Sequence, residues 1–249
     1  MPNRDKIFSE TTQAVGDFNF GQQTAEVFDD MLDRSIPMYR ELQRMIGEIA
    51  AEFAENKSNI YDLGCSTGIT LETLREAISA TGKKVSMVGL DYSQPMLDLA
   101  RERFEALPEA ERPQLIHTDL NHGCIINNAS VVVLNLTLQF VRPLYRDTLI
   151  RSIADGLNEN GCLILVEKVL SDDSLLNRMF IKFYYDMKRR NGYSETEISK
   201  KREALENVLI PYRISENAQL LKRNGFAEVD TFFKWYNFAG ILAVKTKGD

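Results

Sequence analysis

Three acidic residues and one glycine turn carry the chemistry that can be read directly from the sequence. The segment IYDLGCSTG places Asp62 near the end of an apolar run, and Gly64 and Gly68 bracket a tight turn into a helical pattern. Asp91 ends the next apolar run and Asp119 ends the third. Ligands of open α/β sheets bind beyond the carboxyl ends of the strands, and an acid there can accept both hydroxyls of a ribose. The pattern therefore predicts a ligand crevice, with Asp91 as the ribose acceptor.

The glycine turn also restricts the kind of ligand. Its G-x-x-x-G spacing is not the dinucleotide fingerprint G-x-G-x-x-G, and no P-loop lysine follows. A ligand without a pyrophosphate is favoured. A purely structural glycine turn and helix-capping aspartates remain the alternatives for each feature taken alone. Carboxylates at successive strand ends cost repulsion and desolvation unless they bind something, so Asp91 and Asp119 together favour a ligand site.

The elements that must position these residues alternate between strand and helix. This alternation predicts a doubly wound α/β sheet in a single domain spanning residues 1–249, with a helical insertion before the last hairpin. An N-terminal arm and helices occupy 1–56, with a helix joint near Ser35–Pro37, the insertion occupies 171–214, and the closing turn lies near Asn237–Gly240. Strands are predicted in the segments NIYDLG, KVSMVGLDYS, PQLIHTDL and CLILVEKV, and at the start of ASVVVLNLTLQF.

Composition narrows the class of protein. The chain has 249 residues, 44% of them hydrophobic, and a formal net charge of −6, which disfavours broad binding to nucleic acid. Three cysteines without a CxxC pair, no apolar run long enough to span a membrane and no signal peptide indicate a cytoplasmic protein without membrane contact. His117 and His122 lack metal-ligand spacing, so we expect no metal site.

A series of motifs resembles the class I S-adenosylmethionine (SAM)-dependent methyltransferases. It consists of YDLGCSTG, GLDYS, HTDL and LNLTLQF, within Ser58–Lys168. The resemblance implies a Rossmann-like methyltransferase sheet that binds SAM. It also implies that the first turn contacts the methionine part, that Asp91 holds the ribose and that Asp119 approaches the adenine.

A narrower resemblance covers nearly the whole chain. YDLGCS, NLTLQF, VEK, NGYSETEISKKR and LENVL are similar to the carboxy-S-adenosyl-L-methionine synthases. These enzymes convert SAM and prephenate to carboxy-SAM and phenylpyruvate. Their product supplies a tRNA carboxymethyltransferase that modifies the tRNA wobble uridine, and the family implies a homodimer. The family's binding positions correspond here to Tyr39, Gly64, Cys65, Ser66, Asp91, Tyr92, Asp119, Leu120, Asn135 and Arg202. Tyr92 and Leu120 depart from the usual Asn and Ile.

The basic triplet Lys200–Arg202 follows a predicted helix start. Ser194 and Glu197 form an S-x-x-E capping box, and Arg202 is the candidate catalytic residue. A guanidinium binds a carboxylate bidentately, which suits either the new carboxylate of carboxy-SAM or prephenate, within one subunit or across a dimer. Lys200 and Lys201 are expected to face solvent, and an exposed helix face is the alternative for the whole triplet.

Other residues have expected roles around the reacting sulfonium. Tyr39 could lie over the sulfonium, where an aromatic ring attracts a cation, and Asn135 could hold backbone or ligand near the methyl group. A half-buried tyrosine on an amphipathic helix is the alternative for Tyr39. Cys65 has no histidine partner and is not expected to be a nucleophile.

Two other functions also fit these residues. A conventional SAM-dependent methyltransferase of a small acidic acceptor would use Arg202 only to bind that acceptor. A SAM-binding scaffold without turnover would bind the ligand and leave prephenate unchanged.

Overall fold

The computed structural model describes residues 4–9 and 16–246. The predicted N-terminal arm therefore falls partly on residues 1–3 and 10–15, which lie outside the described residues. The described strands form one sheet. They are β1 (Asn59–Leu63), β2 (Ser86–Asp91), β3 (Gln114–His117), β4 (Ala129–Asn135), β5 (Leu157–Leu170), β6 (Tyr212–Arg213), β7 (Glu228–Trp235) and β8 (Phe238–Val244).

The sheet is mostly parallel, as the strand pattern predicts. Its order is β3-β2-β1-β4-β5-β8-β7, with β6 paired to β5 beside this path. Strands β1 to β5 run parallel to one another, and β8 pairs antiparallel with β5 and β7. Strand β4 is buried from Ala129 to Leu134, because helices cover both faces of a doubly wound sheet. The predicted fold class is confirmed.

Helices cover the two faces of the sheet unequally. Apolar side chains of α3, α4, α5 and α7 pack into one core cluster, and those of α6 and α9 pack into the other. The described helices are α1 (Gln22–Ala25), α2 (Phe28–Ser35), α3 (Tyr39–Phe53), α4 (Ile69–Ser79), α5 (Gln94–Phe104), α6 (Pro143–Gly156), α7 (Ser174–Arg190), α8 (Glu195–Ala204) and α9 (Ile214–Arg223).

Side-chain caps start the helices where the sequence predicts. The Ser93 hydroxyl accepts the Met96 N–H at 3.3 Å at the start of α5. Ser194 and Glu197 make both bonds of the predicted capping box at the start of α8. Each cap satisfies N–H groups that have no partner within the helix, and this sets the register of the helix entry.

Two boundaries differ from the sequence-based expectation. The closing turn lies at Tyr236–Asn237, and Gly240 is inside β8, where a Cβ would come within 2.5 Å of the Phe232 ring. Glycine is needed there because a ring covers the strand. The predicted helical insertion contains α7 and α8, but Tyr212–Arg213 near its end is a strand. No helix of the described residues combines the length and apolar content that a membrane crossing needs.

Candidate functional site

A cavity of about 520 Å³ lies beyond the carboxyl ends of β1, β2, β4 and β5. Apart from Arg202, every residue that the sequence suggested for binding lines this cavity. These are Tyr39, Gly64, Cys65, Ser66, Asp91, Tyr92, Asp119, Leu120 and Asn135. The strand ends therefore bring together residues from widely separated parts of the chain, as the topology predicts.

The glycine turn forms one wall of the cavity. Gly64 and Gly68 have positive φ values of 79° and 85°, which glycine adopts without steric cost. A Cβ at Gly64 would collide with the Thr137 side chain. The N–H groups of Gly64 and Cys65 donate to the Leu90 carbonyl at 2.7 and 3.0 Å, which ties the turn to β2. The turn is held rigidly and brings backbone close to the cavity.

Asp91 joins the end of β2 to this turn. Its Oδ2 accepts the Ser66 N–H and its Oδ1 accepts the Ser93 N–H, both at 2.8 Å. Burial raises the pKa of Asp91, and the backbone N–H donors oppose that rise. The carboxylate therefore lies at the cavity in a defined orientation.

Asp62 is a second carboxyl beneath the turn. Its side chain is 1% exposed, and neither oxygen has a hydrogen-bond partner within the part of the chain that the structure describes. Burial raises the pKa of Asp62 to about 8, and the negative charge of Asp91 adds to the rise. At neutral pH the Asp62 carboxyl is held largely protonated inside the fold.

Asp119, the acid that follows β3, also lines the cavity. Asp119 Oδ1 accepts the Asn121 N–H at 2.9 Å and the Asn121 side-chain amide at 2.8 Å, which closes a short turn after β3. Tyr92 is 63% exposed at the rim. His122 Nδ1 lies 3.3 Å from Asp119 Oδ2, but residues 4–9 and 16–246 contain no group of three His, Cys, Asp or Glu side chains placed to hold a metal ion.

A chain of polar side chains lies between the glycine turn and α3. The Thr70 hydroxyl accepts Asn135 Nδ2 and Gln43 Nε2, both at 3.1 Å, and Gln43 Nε2 also lies 2.9 Å from the Tyr39 hydroxyl. The side-chain oxygens of Asn135 and Gln43 are buried without a partner among the described residues. Of these two residues Asn135 lines the cavity, so its side-chain oxygen is available to a donor on a ligand. The sequence reasoning missed Thr70 and Gln43, although Gln43, four residues after Tyr39, is a polar side chain on the buried face of α3.

The loop after β4 is held from below by Glu167. Leu136 has a φ of 61°, a left-handed conformation that is rare outside glycine. Glu167 is 3% exposed and its Oε1 accepts the Leu138 N–H at 3.0 Å. Burial raises the pKa of Glu167 to about 8, while the Arg146 charge opposes the rise. Glu167 positions the loop that follows Asn135, a role that the sequence reasoning did not assign.

The basic triplet is arranged differently from the expectation. Lys201 lines the cavity with 6% of its surface exposed, so the prediction that it faces solvent is wrong. Its Nζ lies 3.3 Å from the Ser35 hydroxyl and 3.9 Å from Asp5 Oδ2. Burial lowers the pKa of Lys201 to about 8. Lys200 is half-buried, and Arg202 is exposed and lies outside the cavity lined by its own chain.

The N-terminal segment formed by residues 18–20 closes over the cavity. Phe18 donates its N–H to the Ala204 carbonyl at 2.8 Å, and the Ser93 hydroxyl donates to the Phe20 carbonyl at 2.5 Å. The Phe20 ring packs edge-on against Phe140 with centroids 5.1 Å apart. Main-chain bonds thus attach the segment to α8 and to the start of α5, and its aromatic side chains line the cavity.

An ion-pair network attaches α2 beside the glycine turn. Arg103 contacts Asp29 at 2.6 Å and Glu72 at 2.9 Å, and its Nε donates to the Thr67 carbonyl at 2.8 Å. The Thr67 hydroxyl donates to Asp29 at 2.7 Å. The arginine therefore couples the N-terminal helices to the turn that lines the cavity.

Comparisons with known proteins agree with this geometry. A methyltransferase domain model matches residues 60–161. A protein named carboxy-S-adenosyl-L-methionine synthase from Methylococcus capsulatus is 56% identical over 98% of this chain and 100% of its own length. One of the same name from Desulfotalea psychrophila is 41% identical over 97% of each chain. An O-methyltransferase family protein from Burkholderia thailandensis has a similar structure, with a TM-score of 0.65, 15% identity and coverage of 95% of this chain and 66% of that one.

Proposed function

The chain belongs to the carboxy-S-adenosyl-L-methionine synthase family, and on that premise we propose that it converts SAM and prephenate to carboxy-SAM and phenylpyruvate. It is an enzyme that acts on SAM, with carboxy-SAM as its product. The observation that carries the proposal is the match to named synthases over nearly the full length of both chains. We also propose that the whole chain acts as one SAM-binding domain.

The cavity supports SAM as the ligand. Its glycine turn lacks the dinucleotide spacing, and the buried side-chain oxygen of Asn135 at its wall suits a ligand that carries hydrogen-bond donors and positive charge, as SAM does. We propose that Gly64, Cys65 and Ser66 contact the methionine part and that Tyr39 lies over the sulfonium. We further propose that Asp91 and Tyr92 bind the ribose and that Asp119 and Leu120 contact the adenine.

The proposed reaction balances without a further reagent. Prephenate loses carbon dioxide and hydroxide to give phenylpyruvate, and the hydroxide takes a proton from the SAM methyl group to give water. The carbanion of the resulting sulfur ylide forms a C–C bond to the carbon dioxide, giving carboxy-SAM. The contribution of the protein is to position the reactants, exclude water and stabilise the anionic groups.

Arg202 has its proposed role across a dimer. It is exposed in its own subunit and does not line that subunit's cavity, so a contact with carboxy-SAM requires a second copy. We propose that Arg202 of the partner subunit binds the new carboxylate bidentately. This assignment predicts that Arg202→Ala abolishes carboxy-SAM formation and that the protein is a homodimer by light scattering.

The product implies a consuming enzyme. We propose that carboxy-SAM passes to a tRNA carboxymethyltransferase that modifies the wobble uridine, and that this chain does not itself bind tRNA, since its net charge is −6. Cys65, Cys124 and Cys162 are all unpaired, which supports a cytoplasmic location.

The experiment that tests the function is incubation of the purified protein with SAM and prephenate, followed by mass spectrometry. We expect an ion heavier than SAM by one carbon dioxide, with phenylpyruvate formed in equal amount. S-adenosylhomocysteine and a methylated acidic acceptor would instead identify a conventional methyltransferase. Binding of SAM without turnover of prephenate would identify a scaffold and overturn the proposal.

A further inference from the structure

Three lysine side chains gather at one end of the cavity around two buried tyrosines. The Nζ atoms of Lys168 and Lys188 each lie 5.2 Å from the centroid of the Tyr184 ring. Those of Lys188 and Lys201 lie 5.5 and 5.7 Å from the centroid of the Tyr193 ring. Lys168 and Lys201 line the cavity, and Lys188 is 4% exposed behind them. The two rings thus hold three amines in one compartment.

This lysine compartment contains more basic groups than carboxylates. Asp5 is its neighbouring carboxylate, with Oδ2 3.9 Å from Lys201 Nζ and 2.7 Å from the Tyr193 hydroxyl that donates to it. Within residues 4–9 and 16–246, neither Lys168 nor Lys188 has a carboxylate at ion-pair distance. A buried ammonium without a partner is costly, so an anion that enters from the cavity would stabilise the compartment.

Neighbouring charges do not remove this surplus. Arg34 lies over the Tyr193 ring at 4.0 Å and is itself paired with Asp30 at 3.1 Å. Burial is the largest cause that lowers the pKa of Lys188, and the charges of Lys201 and Lys168 lower it further. The protonated forms of the three amines repel one another, and a negative charge between them relieves that repulsion and favours protonation.

The strand register places the compartment next to the reacting end of SAM. Asn135 on β4 pairs with Val166 on β5, and Lys168 is two residues further along β5. Two residues of a strand span about 6.6 Å, so Lys168 lies one strand across and just beyond Asn135. An anion bound there adjoins the position proposed for the SAM methyl group, on the side away from the Gly64 turn.

We propose that Lys168, Lys188 and Lys201 bind the carboxylates of the dicarboxylate co-substrate and orient it toward the SAM methyl group. This inference rests on the proposed function, since that reaction requires a dianionic carboxyl donor. It assigns the co-substrate to the lysine compartment and leaves Arg202 to the carboxylate of the product. Two amines at the cavity surface match two carboxylates, and a bound dianion favours the protonated form of Lys188 behind them.

The test measures prephenate binding by calorimetry with S-adenosylhomocysteine present, so that no turnover occurs, and measures SAM binding separately. For Lys168→Met we expect prephenate affinity to fall about ten- to hundred-fold, because a charge-assisted contact is lost, and SAM affinity to change less than about three-fold. Lys168→Arg keeps the charge and should retain most of the affinity. Lys182→Met, an exposed lysine on the same α7 as Lys188, is the matched control and should behave as the wild type.

Three results would overturn the inference. Equal prephenate affinity in Lys168→Met and the wild type would do so while leaving the proposed function intact, provided that the wild type still forms carboxy-SAM. A parallel loss of SAM affinity would assign the lysines to the SAM carboxylate instead. If Lys168→Met fails to fold, Lys201→Gln gives the same comparison. Wild-type protein that neither binds nor turns over prephenate would overturn both this inference and the proposed function.

Discussion

Replacing Asp62 by Asn should stabilise the ligand-free protein. The Asp62 side chain is 1% exposed, its oxygens have no partner among the described residues, and burial raises its pKa from 3.8 to about 8. In the unfolded chain this carboxyl is ionised at neutral pH, so folding must take up a proton. An Asn at this position has nearly the same shape and needs no proton.

The magnitude follows from the difference between these pKa values. Each pKa unit corresponds to about 1.4 kcal/mol, so at pH 7 the proton uptake costs the wild type about 4 kcal/mol. The protonated carboxyl of the wild type and the amide of Asp62→Asn are both buried without a partner, and their desolvation costs, each about 1–3 kcal/mol, largely offset one another. The variant should therefore gain about 2–4 kcal/mol of unfolding free energy at pH 7.

The change of unfolding free energy with pH tests the same reasoning and does not depend on the cost of burying the amide. Because the folded pKa of Asp62 is raised, its favourable contribution is complete below the unfolded pKa and is lost as pH rises toward about 8. Urea unfolding should show the variant's advantage growing by about 1.4 kcal/mol per pH unit between about pH 5.5 and 7.5. Exposed Asp155→Asn is the matched control and should follow the wild type. A constant difference between Asp62→Asn and the wild type across this range would refute the reasoning.

Three further substitutions test the walls of the cavity. Gly64→Ala places a Cβ against Thr137 at a φ of 79°, and calorimetry should show at least about ten-fold weaker SAM binding; unchanged affinity would mean that the turn does not shape the site. Asp91→Asn should weaken SAM binding about ten- to hundred-fold, because a charged acceptor is lost, and an effect confined to kcat would contradict a ribose contact. Arg103→Met removes partly exposed ion pairs and should lower the unfolding free energy in urea by about 1 kcal/mol, with Arg103→Lys intermediate.

Most of the fold could be predicted because buried parallel strands and amphipathic helices have different periods. The segment ASVVVLN is apolar at nearly every position, as a strand covered on both faces requires, and it forms β4. Helix starts were marked by local chemistry at Ser93 and Ser194, whose caps involve residues three positions away. The acids at the strand ends could be assigned to one site because a parallel sheet brings the carboxyl ends of its strands together.

The basic triplet shows where such reasoning fails. Helix α8 is rich in charge on several sides, so no apolar stripe indicates which lysine is buried. Lys201 is buried because Asp5 and Ser35, both distant in sequence, provide partners for its ammonium group. Contacts of this kind depend on tertiary structure and leave no local signal. The assignment of Arg202 remains a proposal, because it concerns a second subunit.

Two smaller features were also beyond sequence reasoning. Strand β6 has two residues, too few to show a period, and exists because the end of β5 offers it a pairing edge. Thr70 joins Asn135 to Gln43 through its hydroxyl, but a threonine in the first turn of a helix is common and carries no specific signal. Thr70 is important because Gln43 of α3 and Asn135 of β4 both donate to its hydroxyl.

The attachment of the N-terminal segment has a consequence for how this enzyme can diversify. Both bonds that hold the segment over the cavity use its own main-chain atoms, the N–H of Phe18 and the carbonyl of Phe20. A side-chain substitution at either position, proline at Phe18 excepted, leaves these bonds available. The aromatic surface that lines the cavity can therefore mutate while the closure persists, so the shape of the cavity and its closure can evolve independently in this segment.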